Sequence, residues 1–176
     1  MKVVIRMTTK VTQENSIKKT EKSIRISDWK ASKEKLAHHC IDNEQAIINM
    51  SVNIGDIFEC FIGENVGEEQ CNERPVLVVS KSLYNKSSGR VTVVPLSKNI
   101  RTKVVQKQGQ SKTVLKVQTH LKLNKSQFPF LDSDSVAICE QVRTISKARL
   151  SKRLGSINYE TSSRIKNKLK LLLDMK

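Results

Sequence analysis

Aromatic residues are scarce in this chain. Four Phe, two Tyr and one Trp make up 4% of 176 residues, so any core must be built mainly from Val, Ile and Leu. Apolar runs are short, and none approaches the roughly 20 residues a membrane-spanning helix needs. The N-terminus, MKVVIRMTTK, is broken by Arg6 and Lys10 too early to form a signal peptide. The four cysteines (Cys40, Cys60, Cys71 and Cys139) form no CxxC pair. His38 and His39 beside Cys40 lack the further ligands that structural zinc requires. These absences argue against membrane, collagen, coiled-coil and disulfide-rich secreted classes. They leave the expectation of a soluble, cytoplasmic protein without metal or cofactor.

Acid is also in short supply, and its distribution is uneven. Thirty-two Lys and Arg against seventeen Asp and Glu give a formal net charge of +15. Between Lys98 and Lys125 stand eight basic residues and no acid, and between Arg143 and Lys170 nine basic residues face Glu160 alone. Val52 to Glu73 reverses the pattern, with six acids and no base. Sorted charge of this kind fits a polyanionic partner, with nucleic acid the first expectation.

Patterning divides the chain near residue 50. Residues 1 to about 26 are polar and weakly patterned, and are expected to form a mobile arm. From about 28 to 49, Trp29, Leu36, Ala37, Cys40, Ile41, Ile47 and Ile48 recur at sevens, threes and fours, which predicts an amphipathic helix. From 51 to 176 the texture is short strands and turns. Strands are expected at Ile57–Ile62, Pro75–Val79, Arg90–Leu96 and Ser135–Arg143, with one or two more in Lys112–Leu123. Ile165, Leu169, Leu172 and Leu173 predict a terminal helix with one apolar face. The expected fold is mainly β: a small barrel with a C-terminal helix and an extra N-terminal helix.

Several short blocks follow one another within that second region. They are Gly55-Asp56-Ile57-Phe58, Val66-Gly67-Glu68-Glu69-Gln70, Arg74-Pro75-Val76-Leu77-Val78-Val79-Ser80 and Leu83-Tyr84-Asn85. Val93-Val94-Pro95-Leu96-Ser97, Thr119-His120-Leu121, Glu140-Gln141-Val142-Arg143-Thr144-Ile145 and Arg149 to Gly155 complete the series. Taken in order over about residues 52–175, they resemble the MazF/PemK family of toxin–antitoxin endoribonucleases. That resemblance implies an SH3-like barrel, a homodimer and metal-independent cleavage of single-stranded RNA such as mRNA. It also implies a cognate acidic antitoxin, and operator DNA bound only together with that antitoxin. By motif, catalysis falls to Arg74 and Ser97. Contacts to RNA would come from Glu68, Glu69, Lys81, Lys98, His120, Glu140 and Gln141. The Ile100–Gln118 segment is longer than the family's usual connection.

The chemistry can be stated separately from the resemblance. Cutting RNA without a metal requires the 2′-hydroxyl to attack the adjacent phosphorus, with one proton accepted, another supplied and a phosphorane stabilised. Arginine suits the last task because its planar fork binds two phosphate oxygens and stays charged. Ser97 can hold a phosphate oxygen in register. Glu69 and His120 are the candidate bases. Two other classes stay open at this stage: a toxin of the same fold that poisons DNA gyrase without catalysis, and a basic nucleic-acid-binding module that does not cut.

Overall fold

Alternation of apolar residues sets up the central strands. The computed structural model describes residues 2–107 and 109–175. Strand β1 (Asp56–Gly63) pairs antiparallel with β2 (Asn72–Val78), and β2 with β3 (Arg90–Ser97). Successive residues point to opposite faces, and here both faces are covered. Ile57, Leu77, Val94 and Leu96 enter one core with Ile165 of the terminal helix, whereas Phe58, Val76, Val78 and Val93 enter a second. Coverage on both sides is why Pro75–Val79 reads as a near-continuous apolar run. Phe58 is 2% exposed, and its truncation to Ala would cost about 3–5 kcal/mol.

Strands β6 (His120–Leu123), β7 (Ser135–Ile138), β8 (Arg143–Ser146) and β9 (Leu150–Ser156) complete a seven-stranded antiparallel sheet ordered β6-β7-β3-β2-β1-β9. Strand β8 also pairs with β3. The sheet is barrel-like but not closed. Asp56 is buried at the start of β1, and its carboxylate accepts from Asn53 N (2.9 Å), Arg153 Nη2 (2.8 Å) and Ser156 Oγ (2.6 Å). Between β3 and β6 a separate two-stranded ribbon stands off the sheet, formed by β4 (Thr102–Lys107) and β5 (Gln110–Leu115). Helix α3 (Ser82–Lys86) links β2 to β3.

The expected single strand over Ser135–Arg143 is interrupted. Ser97 lies opposite Val136 and Val93 opposite Arg143, so four steps along β3 face seven along its partner. The three surplus residues form the 3₁₀ turn Cys139–Gln141. Glu140 and Gln141 therefore lie on a bulge rather than in mid-strand, free to reach away from the sheet.

The N-terminal region differs more. Helix α1 runs from Lys2–Asp42, and α2 spans Glu44–Asn49. The structure thus has helix where the sequence suggested an unpatterned arm over residues 1–26. Residues 2–42 contain no Pro or Gly to stop a helix, and Glu14/Lys18 and Glu21/Arg25 have the favourable acid-before-base spacing of four. Docking supplies the rest. The Trp29 ring lies directly over Gly63, whose φ of +92° and missing Cβ leave room for it. Arg149 stacks on the same ring with Cζ 5.3 Å from its centroid. Lys22 donates to Glu64 Oε1 and Asn65 O. Lys147, wholly buried, donates to Ile48 O (2.8 Å) and Met50 O (2.9 Å) at the end of α2. Ile41, expected on the apolar stripe, is exposed because the docked face follows the seven-residue spacing of Lys22, Trp29 and Leu36.

Helix α4 (Tyr159–Leu172) is capped by Asn158, whose Oδ1 accepts from Thr161 N (2.9 Å). It buries Ile165 and packs Leu169 on the core. Leu173, expected on that face, falls at the C-cap and is exposed. No described helix is long and apolar enough to cross a membrane.

Candidate active site

Two adjoining cavities open where β2 begins and β3 ends. The larger, about 580 Å³, is lined by Glu59, Glu73, Arg74, Ser97, Lys98 and Asp132 among others. The smaller, about 330 Å³, is lined by Glu68, Gln70, Arg101, His120, Glu140 and Gln141. Ser97 and Asn99 belong to both, so the two form one groove.

Arg74 enters from β2, where its backbone stands opposite Cys60. Its Nε donates to Cys71 O (2.7 Å) and its Nη1 to Gln70 Oε1. Burial lowers its pKa from the usual arginine value, yet a guanidinium stays charged at any physiological pH. The side chain is thus oriented by two acceptors that carry no formal charge, and its positive charge remains available to a ligand. Ser97 closes β3, and its Oγ accepts from Asn99 N (3.1 Å).

A second network holds the loop that follows β1. Gln141 Oε1 accepts from Gln70 N (2.6 Å) and its Nε2 donates to Glu68 O (2.9 Å). Asn65 Nδ2 donates to Gln70 O (2.7 Å), and Asn65 O is in turn held by Lys22 of α1. A continuous hydrogen-bonded chain therefore joins α1 to Gln70 and, through Gln70, to Arg74. Glu140 takes a different direction from the same bulge. It accepts from Thr119 Oγ1 (2.7 Å) and bonds His120 Nε2 at 2.6 Å. Burial alone would raise the Glu140 pKa, but hydrogen bonds from Thr119, the backbone and His120 prevail, and it lies below the ordinary value. His120 Nδ1 is buried and has no partner among the described residues.

Electrostatically the larger cavity is mixed. Three carboxylates stand against Arg74 and Lys98, and Lys98 is itself paired with Asp132 at 3.3 Å on the surface. Burial, then repulsion from Glu73 and Asp132, holds Glu59 above the usual carboxylate range against the pull of Lys98 and Lys152.

Most residues singled out by sequence converge here: Arg74, Ser97, Lys98, Glu68, His120, Glu140 and Gln141 all line the groove. Two do not. Lys81 lies beyond the far end of β2, preceding α3. Glu69 lines neither cavity and points its carboxylate toward Arg143 at 4.0 Å. Glu59, Gln70, Asn99 and Arg101 were missed. Glu59 reads as an ordinary outward residue of an alternating strand, and Gln70 gains significance only once it is seen to hold Arg74. Among the described residues no three His, Cys, Asp or Glu are grouped to hold a metal ion.

Residues 53–173 match the family described as the PemK-like, MazF-like toxins of type II toxin–antitoxin systems. The endoribonuclease EndoA of Bacillus subtilis (strain 168) is 30% identical over 124 residues, 70% of this chain and 96% of the relative. The endoribonuclease MazF of Staphylococcus saprophyticus is 28% identical over 121 residues, 69% of this chain and 90% of the relative. Among solved structures, MazF (Form-I) from Deinococcus radiodurans superposes with a TM-score of 0.54 at 19% identity, covering 71% of this chain and 98% of that one. The Mycobacterium tuberculosis toxin MazF-mt6 does so with 0.52 at 16%, covering 69% and 98%. These two likenesses establish the fold. Helices α1 and α2 lie outside the matched region.

Proposed function

The chain belongs to the PemK-like, MazF-like toxin family, and from that premise we propose that it is an endoribonuclease toxin that cuts single-stranded RNA at a defined sequence. The carrying observation is that Arg74 and Ser97, from two different strands, line one 580 Å³ cavity. Relatives matched over nearly their whole length are named endoribonucleases.

In the proposed reaction the 2′-hydroxyl of the nucleotide 5′ to the cut attacks the neighbouring phosphorus. The P–O5′ bond breaks as O5′ takes up a proton from water, leaving a 2′,3′-cyclic phosphate and a 5′-hydroxyl. Arg74 stabilises the charge gathering on the non-bridging oxygens, and Ser97 donates a hydrogen bond to one of them. Of the bases expected from sequence, Glu69 lies outside the groove, and His120 has one ring nitrogen committed to Glu140 and the other buried. Proton acceptance is better assigned to Glu59, which lines the cavity with Arg74 and is held above the ordinary carboxylate pKa. Glu140 and Gln141 act through the groups they hold. No step in this scheme uses a metal.

A homodimer, inhibition by an acidic antitoxin whose carboxylates occupy phosphate positions, and operator binding only as the toxin–antitoxin complex belong to the same proposal, at work in the cytoplasm. Purified protein incubated with a long single-stranded RNA in EDTA tests it: discrete fragments are expected, and intact RNA overturns the reading. Intact RNA together with inhibited gyrase supercoiling would place the chain with the gyrase poisons instead.

A further inference from the structure

The groove does not account for the chain's cationic excess, because its larger cavity carries more acids than bases. Part of that excess lies on the β4–β5 ribbon and its ends, where Arg101, Lys103, Lys107, Lys112 and Lys116 stand in a stretch of sequence without an acid. Lys103 pairs with Val114 and Val105 with Lys112, and Lys116 N donates to Arg101 O (2.9 Å), which carries the ladder one pair further. Residues directly opposite in an antiparallel ladder share a face, and alternate residues return to it. Arg101, Lys103, Lys112 and Lys116 therefore occupy one face with Val105 and Val114. The other face holds Thr102, Val104, Gln106, Ser111, Thr113 and Leu115, without a charge.

All four cations are exposed, and among the described residues none forms an ion pair. Arg101 stands opposite Lys116, and Lys103 diagonal to Lys112. Such like-charge neighbours destabilise a ribbon, and no acid between residues 98 and 125 offsets them. An anion lying along this face would. The face is also continuous with the groove, because Arg101 lines the cavity that holds His120 and Glu140.

We propose that the charged face of the β4–β5 ribbon carries the sugar–phosphate backbone of the RNA segment flanking the cut. The inference deepens the endoribonuclease reading and rests on it. No Phe, Tyr or Trp occurs between Tyr84 and Phe128, so the ribbon has no side chain on which bases stack. Its contribution is attraction without choice of sequence: it sets affinity and salt dependence and leaves the position of the cut unchanged.

The test compares wild type with K103Q/K112Q on an RNA whose cut has been mapped, using one oligonucleotide confined to the cut and one extended by a flanking segment. A Q106A/T113A variant on the uncharged face is the control. For the extended RNA, KM of K103Q/K112Q should rise on the order of tenfold, and the slope of log affinity against log salt should flatten by about 1.4, from about 0.7 per lost phosphate contact on a single strand. The position of the cut should not move. Q106A/T113A should match wild type. Unchanged KM and slope in K103Q/K112Q, or an equal loss on the short oligonucleotide, overturns the proposal. So does unchanged RNA affinity with weakened binding of a polyglutamate peptide, which would give the face to a protein partner. Fluorescence anisotropy with labelled single-stranded RNA separates the two readings. If wild type binds but never cuts, and K103Q/K112Q still binds more weakly with a flatter slope, the ribbon stands and the endoribonuclease assignment falls.

Discussion

The groove and the ribbon lie side by side and are built on opposite plans. In the groove, Arg74 is held by Gln70 and Cys71, Gln70 by Gln141 and Asn65, and His120 by Glu140. Charges of both signs are present, and burial shifts two of them, Glu59 and Arg74. On the ribbon, Arg101, Lys103, Lys112 and Lys116 stand exposed and, among the described residues, form no ion pair, in a ladder that pairs with no other described strand. A fixed, part-buried arginine suits charge that develops at one atom during reaction, because its orientation is prepared in advance. Loose exposed lysines suit charge spread evenly along a polymer. Attraction and chemistry are thus assigned to different surfaces, and variants on each should fail in different ways.

The largest separation is expected from R74A. Its cleavage rate at saturating RNA should fall on the order of 10²–10³, as for loss of one oxyanion donor, while RNA affinity changes by far less. Single-turnover kinetics alongside anisotropy measures both. A parallel fall in rate and affinity would erase the distinction between the two surfaces.

Q141A comes next. It removes the two bonds from Gln141 to the loop bearing Glu68 and Gln70, each worth about 1 kcal/mol. The rate should fall on the order of tenfold with KM little altered, and the Gln70 amide should exchange faster with solvent. Lost activity with unchanged exchange would show that Gln141 touches RNA rather than positioning the loop. K22M tests the same chain from its far end, because Lys22 reaches Gln70 only through Asn65. A smaller loss of rate is expected there, with K22R restoring part of it. Additive effects in the K22M/Q141A double variant would show the two clamps to be independent.

The smallest effect concerns pH. Folding lowers the pKa values of Glu140 and Asp56 below their ordinary 4.5 and 3.8. A group of this kind stabilises the native state above its unfolded pKa and loses that contribution as pH falls through the folded one. Thermal stability should therefore decline on acidification from about pH 4.5 downward, and E140Q should flatten the upper part of that decline. A midpoint that falls equally in E140Q and wild type would assign the loss to other carboxylates, Asp56 first.

How far the sequence revealed these surfaces depended on the type of pattern. Strands β1 to β3 were legible because their apolar residues are dense and both faces are buried. Gly55-Asp56 was legible as a motif, and its role proves structural: Asp56 ties the start of β1 to β9. Arg74 and Ser97 were legible as a pair only through the family resemblance, because no periodicity joins residues on different strands. The Glu140–Gln141 bulge was hidden, since an insertion in a strand leaves local composition unchanged and shows only in register against β3. Strand β4 was also missed. Lys103-Val104-Val105-Gln106 has no buried residue to mark it, and its one-sided charge emerges only when the ladder with β5 is drawn. Helix α1 was legible from about residue 28 onward by its apolar spacing, whereas the part before it escaped, because its docking depends on Lys22 meeting Glu64, a contact separated by more than thirty residues.

In the proposed reaction this groove cuts RNA by internal attack of a 2′-hydroxyl oriented beside Arg74. The most direct measurement uses the mapped RNA with 2′-deoxyribose at the nucleotide 5′ to the cut. That strand should bind with nearly wild-type affinity and remain intact, while the all-ribose strand yields a 2′,3′-cyclic phosphate and a 5′-hydroxyl. Efficient cleavage of the deoxy-substituted strand at the same position would contradict the mechanism and the role assigned to Arg74.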